Sequence, residues 1–303
     1  MWIVLRSRNA IILVIRDICE LSRQLMPKCH LGSKTTKMEL LFLVAAVAIL
    51  LTIQVLFFFY QEWEKNSSLI KVPFMEESSL MNVYVWIAVL SVVFTFNISA
   101  STCNLMLLLC YNSYCILYKI MESYGNKLKD ELNQGKCSFK QISRYISLFA
   151  TITRRVKEID QALGTSAFIL YTTTISSLFN SVSVVLADSQ SYRTSVANVY
   201  VVWTTFTAIV TFLVLTFSGA LVYKGGENIK QAMIDCSDIV AKHSPNLKTT
   251  LTFSLLVENI KGSNIVVTGW SMFTIQKGFI LSVAGLVMTY GVLMYQMDAL
   301  KTE

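Results

Sequence analysis

A membrane-spanning helix needs about 20 apolar residues in a row, because the hydrocarbon core offers its backbone no hydrogen-bond partner. This chain meets that demand five times, at roughly Met38–Tyr60, Asn82–Leu109, Ser166–Ala187, Asn198–Tyr223 and Gly278–Met297. The interior of each run is free of Asp, Glu, Lys and Arg, Glu39 at one edge apart, and Lys119 and Lys277 mark where water or headgroups begin. Only 15% of the 303 residues are charged and 54% are hydrophobic, so a soluble domain's polar surface is out of reach. The expectation is an all-α, multi-pass membrane protein with five transmembrane helices.

Charge sets the orientation. Of the 26 Lys and Arg residues, 22 fall before the first run, between Lys119 and Lys157, or between Lys224 and Lys277. Only Lys65, Lys71, Arg193 and Lys301 fall on the other side. By the positive-inside rule the basic side is cytoplasmic, so the N-terminus is expected inside and the C-terminus outside. The net charge of +7 is thus spread over membrane-proximal loops and does not form the stripe a nucleic acid would need. The sequon Asn66-Ser67-Ser68 falls in an expected outside loop, making Asn66 a glycosylation candidate. Asn97-Ile98-Ser99 fits the same pattern but falls in mid-membrane.

Three segments follow from this layout: a cytoplasmic linker at 1–37, a transmembrane domain at 38–297, and a short outside tail at 298–303. The cytoplasmic connections at 119–165 and 224–277 carry helical periodicity. Ile142, Ile146, Phe149, Ile152, Val156, Ile159 and Leu163 form one apolar stripe, and Ile229, Met233, Val240, Leu247, Leu251, Leu255 and Ile260 a second, broken at Ser244-Pro245-Asn246. The stripes predict helical extensions packed as a bundle, with amphipathic helices lying on the membrane surface as the alternative. No cleavable signal peptide is expected, since Met1–Leu5 is short and Arg6 and Arg8 follow at once.

Absences narrow the chemistry. The runs hold no ionisable residue of the kind that proton-coupled transporters and voltage sensors use. The seven cysteines include no CxxC, and His30 and His243 have no ligand spacing, so neither a metal nor a cofactor is expected. Gly32-Ser33-Lys34-Thr35 lacks the upstream glycine of a phosphate loop, and no nucleophile–base pair stands out, so no enzyme is expected.

The last run closes with Gly-Leu-Val-Met-Thr-Tyr-Gly-Val-Leu-Met-Tyr-Gln-Met at 285–297. Thr289-Tyr290, five mainly apolar residues and Gln296 resemble the C-terminal signature of arthropod gustatory receptors, which ends Thr-Tyr, five hydrophobics, Gln, Phe. Gly269 to Lys277, leading into Ser282-Val283-Ala284-Gly285, resembles the family's approach to that helix. Met297 stands where the family has Phe, and Gly291 interrupts the hydrophobic five. The resemblance implies seven helices with the same inside-to-outside orientation, so the five runs correspond to the last five and Met1–Leu5 to the end of a preceding helix. A truncated chain is the corresponding expectation.

The resemblance further implies a ligand-gated cation channel at the plasma membrane, a homo- or hetero-tetramer of related subunits with the last helix lining the pore. Gly285, Thr289, Val292 and Gln296 share one face at helical spacing, with Leu293 adjacent. Leu293, Gln296 and Met297 correspond by analogy to the pore neck, and Thr289, Tyr290 and Val292 complete the pore candidates. An ordinary packed helix, with Thr and Gln bonding across helices, is the alternative. Polar and aromatic residues in the other runs supply candidates for a pocket that takes a small uncharged tastant: Phe58, Tyr84, Trp86, Asn97, Phe179, Asn180, Ser183, Tyr200, Trp203, Thr204 and Thr207. Against this, membrane Ser and Thr commonly bond their own preceding turn, and interfacial Trp and Tyr form anchoring belts. A non-conducting accessory or truncated subunit is the second functional reading. A G-protein-coupled receptor of the rhodopsin type is the third, and it lacks its Asp/Glu-Arg-Tyr and Asn-Pro-x-x-Tyr motifs here.

Overall fold

The computed structural model describes residues 16, 20, 79–134, 138–186, 195–243 and 247–299, with side chains at 16, 20, 102–134, 138–186, 201–235 and 247–297. Five helices and one small hairpin make up the described part: α1 (Ser79–Asn133), α2 (Phe139–Leu186), α3 (Ser195–His243), α4 (Leu247–Gly262), β1 (Thr268–Gly269), β2 (Phe273–Thr274) and α5 (Gly278–Ala299). Four of these helices, α1, α2, α3 and α5, are long and apolar enough to cross a membrane. They correspond to the second to fifth expected spans; Met38–Tyr60 lies outside the described residues. Two compact units divide the chain, Met1–Cys29 with Leu107–Glu303, and His30–Met106. The second is described as the helix from Ser79 to Met106, with side chains from Thr102 onward.

Helix length explains the extensions. At 1.5 Å per residue, the 55 residues of α1 reach about 80 Å, far beyond the 30 Å of a hydrocarbon core. The apolar spans of α1, α2 and α3 therefore run on unbroken into the basic segments. The turn into α2 is closed by a reciprocal cap, in which Ser138 N–H donates to Gln141 Oε1 at 3.3 Å and the Ser138 carbonyl accepts from Gln141 N at 3.0 Å. α3 stops at His243 and α4 starts at Leu247, on either side of Pro245.

Buried residues on α1 recur at Cys110, Tyr114, Leu117, Met121, Tyr124 and Leu128, a three-four alternation that keeps one seam turned to a partner. α2 answers with Ile142, Tyr145, Phe149, Ile152, Val156, Ile159 and Leu163. Tyr145 takes the place expected of Ile146, which is only half-buried, because the seam follows the tighter three-four spacing. Tyr124 OH donates to the Tyr145 carbonyl at 3.1 Å, and the two rings meet edge to face at 5.6 Å. These contacts make the first extension part of a packed bundle.

The second stripe needs a correction. Ile229 and Met233 on α3 are buried as expected, but Leu247, Leu251 and Leu255 on α4 are 75%, 57% and 56% exposed. The packed face of α4 is Thr249, Phe253, Leu256 and Ile260. Both faces are apolar enough to pack, and the aromatic side chain of Phe253 wins the interior because it removes more surface from water.

Candidate functional site

Among the described membrane-span helices, α5 is the most exposed. Its first turn is held by aromatic rings: Phe279 stacks on Phe273 at 4.6 Å, meets Tyr171 of α2 edge-on at 5.2 Å and reaches Phe212 of α3 at 5.9 Å. Tyr171 is fixed in turn by a 3.0 Å hydrogen bond between its hydroxyl and Thr216 Oγ1 on α3. Farther along, Tyr290 packs edge-on against Phe179 of α2 at 4.7 Å, and its hydroxyl is 2.8 Å from Ser183 Oγ. Gly291 faces Val182, and a Cβ there would lie 3.6 Å from Val182 Cγ1, an ordinary contact.

The opposite face of α5 is open. Gly285, Thr289, Val292 and Gln296 are all exposed, as are Leu293 and Met297. Thr289 Oγ1 donates to the Gly285 carbonyl at 2.8 Å, so its hydroxyl is satisfied along the helix and its methyl is free to face outward. Tyr290 separates from the other pore candidates: it is half-buried and belongs to the α2-facing side. The sequence motif thus straddles two faces, one tethered and one unpartnered.

The pocket candidates divide similarly. Phe179 and Ser183 meet at Tyr290, while Asn180, between them in sequence, is exposed. On α3, Trp203 is half-buried, pairs with Phe206 at 6.5 Å, and its buried indole N–H has no hydrogen-bond partner among the described residues. Thr204 and Thr207 donate to the Val201 and Trp203 carbonyls at 3.0 and 2.9 Å, the bonding to the preceding turn that membrane hydroxyls commonly adopt. Tyr84, Trp86 and Asn97 fall on α1 and Tyr200 on α3, where the side chains lie outside the described residues, as do Phe58 and Asn66 entirely.

Sequence reasoning missed the joint that delivers the chain into α5. Thr268, in the hairpin, is held by Asp160 of α2: its amide N–H donates to Oδ1 at 2.5 Å and its hydroxyl to Oδ2 at 2.8 Å. Trp270 N–H donates to the Gly164 carbonyl at 3.0 Å, and Ile275 N–H to Val267 O at 3.0 Å. Asp160 lies outside the apolar runs. Burial pushes its carboxyl above the usual range, and the bonds from Thr268 pull it partly back. An acidic residue one turn before the small pair Gly164-Thr165 is the signal that could have pointed there.

The model of the family described as 7tm Chemosensory receptor matches residues 1–301. No curated protein matches the chain in sequence. Among solved structures, the insect olfactory receptor OR5 from Machilis hrabei is similar in fold, with a TM-score of 0.56 and 17% identity over 98% of this chain and 78% of that one. The same receptor in complex with eugenol gives 0.54 and 17% over 97% and 79%.

Proposed function

Because the chain belongs to the 7tm chemosensory receptor family, we propose that it is a gustatory-type chemoreceptor, a ligand-gated cation channel of the plasma membrane opened by a small extracellular tastant. The observation that carries this reading is the division of α5 into a tethered and an open face. Tyr290 binds the helix to Phe179 and Ser183, while Gly285, Thr289, Val292 and Gln296 on the opposite face are exposed. Four copies of that open face around one axis would give an apolar constriction at Leu293 and a ring of amides at Gln296. A constriction of that kind closes by dewetting, and amide oxygens partly replace an ion's hydration shell.

The ligand end of the proposal rests on Phe179, Ser183 and Tyr290. A molecule lodged against Phe179 and Ser183 would compete with Tyr290 for both, and displacing Tyr290 releases the middle of α5. The related olfactory receptor was solved with eugenol, a small uncharged ligand, which supports the same ligand class here.

The test begins with topology. An epitope fused after Glu303 should stain intact cells that carry the protein at their surface. Staining only after permeabilisation, with surface delivery verified, would overturn the orientation and the channel reading with it. Currents recorded from the same cells then decide between a channel and an accessory subunit: no current alone, but current with a relative from the same family, favours the accessory reading.

A further inference from the structure

Tyr114 on the α1 seam is fully buried, and its hydroxyl has no hydrogen-bond partner among the described residues. A buried hydroxyl left in that state raises the energy of the conformation that contains it. Its level in the bundle follows from register. α1 and α2 run antiparallel, and Tyr124 meets Tyr145 and Phe149. Ten residues back along α1, Tyr114 therefore lies level with residues 155–159 of α2, next to Asp160. The carboxylate there acts on the Tyr114 hydroxyl electrostatically without bonding to it, as do the Cys110 thiol and the Tyr171 hydroxyl. Of the three, the carboxylate alone is an ionised acceptor, and so the strongest.

Asp160 is engaged elsewhere. Its two oxygens accept from Thr268, the amide N–H on Oδ1 at 2.5 Å and the hydroxyl on Oδ2 at 2.8 Å. Ser271 N–H donates to that same hydroxyl at 3.0 Å, and Trp270 N–H to the Gly164 carbonyl at 3.0 Å. What this clasp holds is strained. Trp270 and Ser271 adopt φ of 52° and 57°, a left-handed conformation that bulky side chains rarely enter and that persists only where the surroundings enforce it. Trp270 and Met272, at the turn, are 58% and 68% exposed, so the turn can leave without pushing packed side chains aside. Beyond the hairpin the chain enters α5.

We infer that Asp160 is a two-way latch, holding Thr268 in the conformation described here and accepting the Tyr114 hydroxyl when the hairpin lets go. The two arrangements exchange one set of bonds for another. Clasped, the carboxylate keeps Thr268 while the tyrosine is orphaned and the turn is left-handed. Released, Tyr114 gains its bond, the turn relaxes, and the Thr268 amide and hydroxyl turn to solvent. An exchange of that kind leaves two states close in energy, which is what a movable element needs. Because the hairpin delivers the chain into α5, the latch bears on gating only through the pore reading above; the exchange of partners does not depend on it.

The amides of Thr268, Trp270 and Ser271 are bonded while the clasp is closed, so their hydrogen exchange reads its opening. Exchange is measured by mass spectrometry on the full chain in nanodiscs. Tyr114→Phe removes the waiting donor and should slow exchange at these amides by roughly three- to ten-fold. Unchanged exchange would mean that the hydroxyl is orphaned in both states, and faster exchange that it supports the clasp; either overturns the latch. In an Asp160→Ala background the same change should have no effect. Slowing that persists there would assign Tyr114 another acceptor and overturn the latch as well. Thr268→Val weakens the clasp without touching Asp160, so it should speed exchange, and adding Tyr114→Phe should reverse part of that gain. No reversal sinks the proposal, and this pair decides it even where Asp160→Ala fails to fold. Circular dichroism verifies helix content in each variant. None of these readings needs a current, so a chain that conducts nothing tells against the channel and not against the latch.

Discussion

Ser183 Oγ and the Tyr290 hydroxyl lie 2.8 Å apart across the α2–α5 interface, and Ser183 also donates to the Phe179 carbonyl at 3.0 Å. One serine proton cannot serve both acceptors fully, so Tyr290 donates to Ser183 while Ser183 donates along its own helix. If the pair holds α5 in its resting position, Ser183→Ala and Tyr290→Phe should each lower the ligand concentration for half-maximal current, by a few-fold. The double variant should shift no further than either one, with a coupling of about 1 kcal/mol. Additive shifts would mean that the two hydroxyls do not act through one another.

The open face of α5 predicts a separate set of effects. Leu293→Ala should widen the apolar constriction and raise current in the absence of ligand, and Gln296→Ala should change cation selectivity. Gly285→Ala is the sharper test, because nothing lies within 4 Å of the position and the substitution favours the helix by roughly 0.5–1 kcal/mol. It should leave thermal stability intact or raised while reducing single-channel conductance. Conductance unchanged in all three variants would remove this helix from the pore.

How much of this was legible beforehand depended on the range of the interaction that decides it. Helix existence and extent were readable, since a charge-free run in lipid must be a helix and it runs on into the neighbouring basic segment until a breaker such as Pro245 stops it. The α2 stripe was readable for the same reason, because Ile152, Val156 and Ile159 announce a buried face by spacing alone. Choosing Tyr145 over Ile146, or Phe253 over Leu251 and Leu255, depends on the facing helix, which periodicity does not contain. The motif around Thr289-Tyr290 marked the right helix but not its two faces. The Asp160–Thr268 clasp joins residues 108 positions apart, and no local pattern in the sequence links them.

The same clasp carries a pH prediction. Desolvation raises the Asp160 carboxyl above its unfolded value, so its contribution to stability is fully present below that value and is lost as pH rises through the folded one. Compared with Asp160→Asn, which does not titrate, the wild type should therefore gain melting temperature as pH falls from neutral into the upper carboxylate range. Asp235 behaves oppositely. Its exposed carboxylate accepts from Gln231 and Lys129, which lower it, so its contribution fades on acidification. Melting curves of wild type, Asp160→Asn and Asp235→Asn across that range separate the two signs. A wild type that loses ground to Asp160→Asn on acidification would show that the Thr268 bonds outweigh burial.

Gly219 and Ile275 make the tightest joint between α3 and the strand leading into α5. A Cβ built at Gly219 would lie 3.0 Å from Ile275 Cβ and still closer to its Cγ2, and 3.4 Å from Val267 Cγ2. Ile275 and Val267 are both about fully buried and are themselves paired through Ile275 N–H and Val267 O at 3.0 Å, so neither can move without the other. Gly219→Ala should thus destabilise the protein by about 1–3 kcal/mol through overpacking, despite the better helix propensity of alanine. Ile275→Ala alone should also destabilise, by about 2–5 kcal/mol, through the cavity it leaves. Combined, the two should cost less than their sum, because the alanine methyl at 219 enters the space that Ile275 vacates. Thermal melts of the four proteins in one detergent measure the difference. Strict additivity would mean that the hairpin yields to the new methyl group, and the strand into α5 is then looser than its packing implies.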